Sequence, residues 1–100
     1  MEVISKREAD KTVIYLLGEL DNHNSAYARS KMDALLEDVG TNIVIFDLKL
    51  LSFMDSTGIG VLIGRYKKMK DTLQMFVRNP NKTIDKIFQM AGLYQVFSKV

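Results

Sequence analysis

Asp55, Ser56 and Thr57 stand consecutively in "SFMDSTGIGVLIGRYKK", the stretch from Ser52 to Lys68. A carboxylate beside two hydroxyls has three chemical uses: nucleophilic attack, the holding of a phosphate, or the covalent acceptance of one. Attack by a serine needs a base within hydrogen-bond reach. The chain has one histidine, His23, in the polar segment "GELDNHN". A lone histidine makes no site, and "DSTG" is not the G-x-S-x-G elbow of hydrolases. One Asp-Ser-Thr-Gly run cannot supply the paired carboxylates of an aspartic protease either. His23 reads as a solvated loop residue, and Asp21, Asp47 and Asp55 are scattered singly. The chain is expected to have no catalytic residue, no metal and no enzymatic activity.

Phosphate holding is the second use. "GIGVLIG" at the start of a helix brings to mind the glycine turn that seats phosphate on helix amides. Its spacing is G-x-G-x-x-x-G rather than G-x-G-x-x-G, no P-loop lysine follows, and acidic Asp55 precedes it. No second half-domain completes a dinucleotide site, so no cofactor is expected. A nucleotide or small-ligand sensor stays as the alternative reading.

Covalent acceptance fits better. Ser56 is expected at the N-terminus of a helix, where Asp55 or its own hydroxyl caps free amides. A phosphate there would add about −1.5 to −2 charges. The helix dipole and free N–H groups tolerate that charge within the fold, whereas a partner shaped for a neutral turn would meet a dianion. Glycine inside a helix costs about 1 kcal/mol relative to alanine, so Gly58, Gly60 and Gly64 need a reason. Gly58 and Gly60 are expected to let a partner approach the first turn, and Gly64 to allow close packing. Phe53 and Met54 are expected in the connecting turn, as contact area beside the serine.

These residues need elements to position them. "TVIYLLG" (12–18) reads as a β-branched and aromatic strand, with "EVISK" as its antiparallel partner. "DNHN" supplies caps, Asn24 being the expected N-cap. Ala28, Met32, Leu35, Leu36 and Val39 then form one helical face, with Gly40 as the stop. "IVIFDL" (43–48) is apolar throughout, as a strand covered on both faces is. A helix over 57–70 follows, then the strand "LQMFV". Asn79-Pro80 reads as N-cap and first residue of a third helix, with Ile84, Ile87, Phe88 and Ala91 as its buried stripe and Gly92 as its stop. "YQVFSKV" adds a last edge strand. "RYKKMK" (65–70) reads as a solvated helix end.

Alternating strands and helices with short connections imply a parallel centre. The expected fold class is α/β, a mixed four- to five-stranded sheet with parallel central strands and packed helices. The 100 residues suit one domain, and 47% hydrophobic and 26% charged content is ordinary for a globular chain. No cysteine is present, which removes thiolate chemistry and disulfides, and the net charge of +2 is too mild to point to nucleic acid. No apolar run approaches the ~18 residues of a membrane span, and the charged N-terminus lacks a signal-peptide core. A cytoplasmic domain is expected.

Three segments carry a family resemblance over nearly the whole chain. "GELDNHN", "FDLKLLSFMDSTGIGVLIGRYKKM" and "FQMAGLYQVF" resemble, in order and spacing, the STAS domain of anti-sigma factor antagonists, the sporulation type in particular. The central block is similar to the family motif D-S-S/T-G-L-G, with Ile59 in place of leucine and Thr57 as the second hydroxyl. The resemblance implies the STAS fold, phosphorylation at Ser56 and partner switching. In that scheme the unphosphorylated antagonist binds a dimeric anti-sigma factor, itself a serine kinase using ATP, and frees the sigma factor. Phosphorylation of Ser56 ends the interaction, and a PP2C-type phosphatase restores it. No direct nucleic-acid or membrane contact is implied. Asp21, Asn22, His23 and Asn24 would share the binding surface with Phe53, Met54, Asp55, Thr57, Gly58, Ile59 and Gly60. The family often has two histidines after its counterpart of Asp21, where this chain has Asn22-His23. Many relatives carry a further C-terminal helix that the sequence to Val100 does not include. The expectation is a single STAS domain over 1–100, with that helix either absent from the protein or lying beyond Val100.

Overall fold

A long central strand organises the chain, and residues 1–100 are all described in this computed structural model. In order the elements are β1 (Glu2–Glu8), β2 (Lys11–Leu20), α1 (Ser25–Glu37), β3 (Ile43–Asp47), β4 (Leu51–Met54), α2 (Ser56–Met69), β5 (Gln74–Arg78), α3 (Lys82–Met90), a 3₁₀ turn at Leu93–Gln95, and β6 (Ser98–Lys99). β1 folds back on β2 as an antiparallel hairpin, with Glu8 opposite Lys11 and Glu2 opposite Leu17. β2–β3, β3–β5 and β5–β6 are all parallel. The mixed sheet with a parallel centre is as expected, but it has six strands.

The additional strand is β4. It pairs parallel with β2 from Gly18–Leu51 to Leu20–Met54, with a bulge between Gly18 and Glu19. β3 therefore pairs with the first part of β2 and β4 with the last, the chain stepping out between them at Leu48–Leu50. Phe53 and Met54 lie on this strand rather than in a turn, Met54 in the core and Phe53 exposed. A strand of four residues flanked by "KL" has too little pattern to stand out in sequence.

Strand alternation divides the sheet into two faces. Ile14, Leu16, Val44, Phe46, Met75 and Val77 join one buried cluster with Met32 and Leu36 of α1, Leu62 of α2, and Ile84 and Phe88 of α3. Burying each large side chain of this kind stabilises by about 1.5–3 kcal/mol. On the other face, Arg78 joins neighbouring strands: its Nε donates to Asp47 Oδ2 at 2.8 Å and its Nη2 to Glu8 Oε2 at 2.9 Å.

Several details depart from expectation. Asn81, not Asn79, caps α3, its Oδ1 accepting from the Ile84 amide at 2.8 Å. Asn79 has φ +57 and donates its side-chain amide to Asp47. Ala91 is exposed as the α3 C-cap, followed as expected by Gly92 at φ +69. Gly40, at φ +67, lies beyond the α1 cap at Asp38 and so is not its immediate stop. The final strand shrinks to Ser98–Lys99 because the chain first makes the 3₁₀ turn. Arg65 is buried, pairing with Asp33 of α1 at 2.9 Å, and is no part of a solvated face.

Candidate functional site at the β4–α2 turn

Parallel pairing creates the site. Because Leu20 lies beside Met54, β2 and β4 end at the same edge of the sheet and their following loops emerge together. Asp55 fastens them to each other. Its Oδ1 accepts from the Gly58 amide at 2.9 Å, capping α2, while its Oδ2 accepts from the Asn22 amide at 3.0 Å. Its own amide donates to the Leu20 carbonyl at 3.4 Å. The Gly58 and Asn22 amides, led by Gly58, hold the Asp55 carboxyl below its ordinary value.

With Asp55 as cap, the Ser56 hydroxyl is not needed for that job. Ser56 is the first residue of α2 and is exposed. Its position presents a hydroxyl at the positive end of a fourteen-residue helix. Thr57 is half-buried beside it.

The other loop is internally braced. Asp21 Oδ1 accepts from the Asn24 amide at 3.0 Å, and the Ser25 hydroxyl donates to the Asn22 carbonyl at 3.2 Å. Asn24 occupies the N-cap position of α1 but makes no side-chain cap; its amide group donates back to the Glu19 carbonyl at 2.9 Å. Asn22 and His23 are exposed next to the turn.

The glycines exchange the roles expected of them. A Cβ on Gly58 would lie 2.1 Å from the Leu20 carbonyl oxygen, so Gly58 is required for α2 to sit against the end of β2. It is buried. A Cβ on Gly60 or Gly64 would meet nothing within 4 Å, so Gly64 is not a packing glycine. Gly60 is exposed and leaves the first turn of α2 open.

Sequence reasoning missed the contribution of α3. Met54, Ser56 and Ile59 on one side and Ile87, Met90 and Ala91 on the other line a shallow groove of about 300 Å³. Met90, at 80% exposure, is the most exposed large apolar side chain of the chain. Ile87 and Ala91 had read as core: Ile87 is half-buried against the core, whereas Ala91 is exposed. Met90 lies outside the Ile84–Phe88 stripe, which was the one available signal.

A mixed sheet whose β4–α2 turn presents an exposed serine at a helix start beside a braced β2–α1 loop is a specific arrangement, and residues 3–100 match the STAS domain model. The chain belongs to the STAS domain family. Among curated relatives of this STAS chain is the anti-sigma F factor antagonist of Lysinibacillus sphaericus, 36% identical over 85 residues, covering 84% of this chain and 73% of that protein. The anti-sigma-B factor antagonist of Listeria monocytogenes is 31% identical over 97 residues, covering 93% and 82%. In structure the STAS chain is similar to the anti-sigma factor antagonist SpoIIAA in its unphosphorylated form, with a TM-score of 0.77 and 29% identity over 99% of this chain and 88% of that one. The fold also recurs within the much larger murine anion transporter Slc26a9, at a TM-score of 0.77 and 20% identity over 93% of this chain and 16% of that one. The fold alone therefore does not fix the function. No helix of the STAS chain is long and apolar enough to cross a membrane.

Proposed function

We propose that this chain is an anti-sigma factor antagonist whose affinity for its partner is set by phosphorylation of Ser56. The observation that carries the reading is the exposed Ser56 at the start of α2, freed from capping by Asp55. Relatives over most of the chain are antagonists of anti-sigma F and anti-sigma-B factors. SpoIIAA, to which the fold is similar at a TM-score of 0.69 in its phosphorylated form, carries such a modification.

In the proposed cycle the unphosphorylated domain docks on a dimeric anti-sigma factor and displaces the sigma factor, in the cytoplasm and in the service of sporulation transcription. The partner is also a serine kinase: it transfers the γ-phosphoryl of ATP to Ser56 Oγ and releases ADP. A PP2C-type phosphatase hydrolyses the ester and restores the neutral turn. The domain itself catalyses nothing and touches neither nucleic acid nor membrane.

Asp21, Asn22, His23 and Asn24 form one side of the proposed contact surface. Asp55, Thr57, Ile59 and Gly60 form the other, with Phe53 exposed nearby. Buried Met54 and Gly58 support this surface from below. A dianion at Ser56 would sit beside the Asp55 carboxylate and on the rim of the apolar groove. Docking would then strip water from a doubly charged group without offering it a partner, which is strongly unfavourable.

The test is incubation with the cognate anti-sigma kinase and ATP, followed by peptide mass spectrometry. One phosphate on Ser56 is expected. Phosphate on Ser52 or Thr57 instead refutes the assignment. Saturable micromolar binding of ATP or GTP to the isolated domain by calorimetry, with no phosphate transfer, would replace it by a nucleotide sensor.

A further inference from the structure

On the helix-free face of the sheet the change of strand beside β2 leaves a notch. β3 pairs with β2 as far as Tyr15–Asp47, and β4 resumes at Gly18–Leu51, so Leu16 and Leu17 have no strand partner on that side. The chain between, at Leu48–Leu50, is held away from β2 by the Leu48 amide donating to Arg78 O and rejoins it where the Gly18 amide donates to Leu50 O, both at 2.9 Å. The resulting cavity has a volume of about 240 Å³.

Its walls are apolar and its rim is basic. Ile4, Tyr15, Leu17 and Leu50 line it, and Ile4 and Leu50 remain 40% and 61% exposed. Exposed leucine and isoleucine converging on one concavity differ from the scattered apolar residues of ordinary surfaces. Lys6 and Lys49 also line it. Lys6 reaches over the Tyr15 ring, 5.9 Å from its centroid, and neither lysine is among the residues that form ion pairs. The one carboxylate in the wall, Asp47, is committed to Arg78, Asn79 and the Lys49 amide. An apolar hollow with a few converging polar groups is the ordinary form of a small-ligand site.

We propose that this notch binds a small aliphatic carboxylate, its chain against Ile4, Leu17 and Leu50 and its head group met by Lys6 and Lys49. Two lysines beside the compensated Asp47 suit one negative charge better than the two of a phosphate. The inference is independent of the Ser56 switch and concerns the opposite kind of feature, a hollow rather than a protruding turn.

Titration of the full chain with octanoate, followed by amide chemical shifts, tests it. Saturable shifts are expected at Ile4, Leu17, Lys49 and Leu50. Replacing both lysines (Lys6→Ala with Lys49→Ala) is expected to weaken octanoate about tenfold, roughly the loss of one charge-assisted contact, while leaving octanol nearly unaffected. Leu50→Asp, at an exposed position, is expected to abolish binding of both with the fold intact. The proposal is overturned by an absence of saturable shifts, by equal loss of octanoate and octanol in the lysine variant, or by tighter binding of octyl phosphate. It is also overturned if sedimentation finds a dimer that Leu50→Asp dissociates, since the notch would then be filled by a second copy.

Discussion

Gly58→Ala and Gly64→Ala should move stability in opposite directions, although both place alanine in the same helix. At Gly58 the added carbon would lie 2.1 Å from the Leu20 carbonyl oxygen, whereas ordinary contact begins at 3.4 Å. Backbone sits on both sides of that contact, so no side-chain rotation relieves it; the start of α2 must retreat by more than 1 Å, about the shortfall itself. Overpacking of this kind costs typically about 1–3 kcal/mol, against about 1 kcal/mol gained from the better helix former. A contact this short against backbone falls at the upper end of that range, so a net loss of about 2 kcal/mol follows for Gly58→Ala. Retreat of α2 would also stretch the 3.0 Å bond from the Asn22 amide to Asp55. At Gly64 nothing lies within 4 Å of the added carbon, so the propensity gain stands alone. That gain is about 1 kcal/mol, or a rise in Tm of about 4–8 °C for a domain of this size. Urea unfolding with the slope held constant reads both values. A Gly58→Ala variant as stable as the parent refutes the assignment of Gly58 to packing, and a Gly64→Ala variant less stable refutes the open surroundings of Gly64.

Other predictions concern the switch and acid stability. Ser56→Ala should bind the anti-sigma factor constitutively and Ser56→Asp about 100-fold more weakly, a difference of about 2.7 kcal/mol; equal affinities by surface plasmon resonance would remove Ser56 from the mechanism. Met90→Lys should weaken the same complex without altering Tm if the groove beside Ser56 is part of the contact, and unchanged binding would confine the surface to the two loops. Burial opposes ionisation of Asp47, but hydrogen bonds from Arg78, the Lys49 amide and Asn79 outweigh it and hold the carboxyl below its ordinary 3.8. Depressed folded-state values stabilise above the unfolded-state value and lose that contribution as pH falls through the folded one. Unfolding free energy should therefore decline below about pH 4, and Asp47→Asn should be less stable at neutral pH with a flatter acid slope; an unchanged slope by urea titration at pH 2 to 5 counts against the network.

What was legible in the sequence was whatever repeats along the chain. The apolar alternation of β2 and the spacing of Ala28, Met32 and Leu36 revealed their elements, and the parallel centre followed from their order. Features set by distant residues were not legible. Gly58 and Gly64 look alike locally, and only the Leu20 carbonyl distinguishes them. Asn79 and Asn81 flank the same proline, and the first loses the cap because Asp47 takes its side chain. β4 is too short to announce itself and exists because the last residues of β2 have a free edge. At the candidate site the order Asp55-Ser56 was readable, but not that Asp55 would release the serine from capping while tying two loops together.

That tie has a consequence for what the kinase of the proposed switch would encounter. Asp55 is held by Leu20 and Asn22 as well as by its own helix. The acceptor's shape therefore exists only once the first and second halves of the chain have come together. A short peptide copied from Ser52 to Gly60 would hold every local residue and still lack the scaffold. An enzyme selecting that shape would leave nascent or misfolded chains unmarked, so the label would report on folding quality as well as on regulatory state.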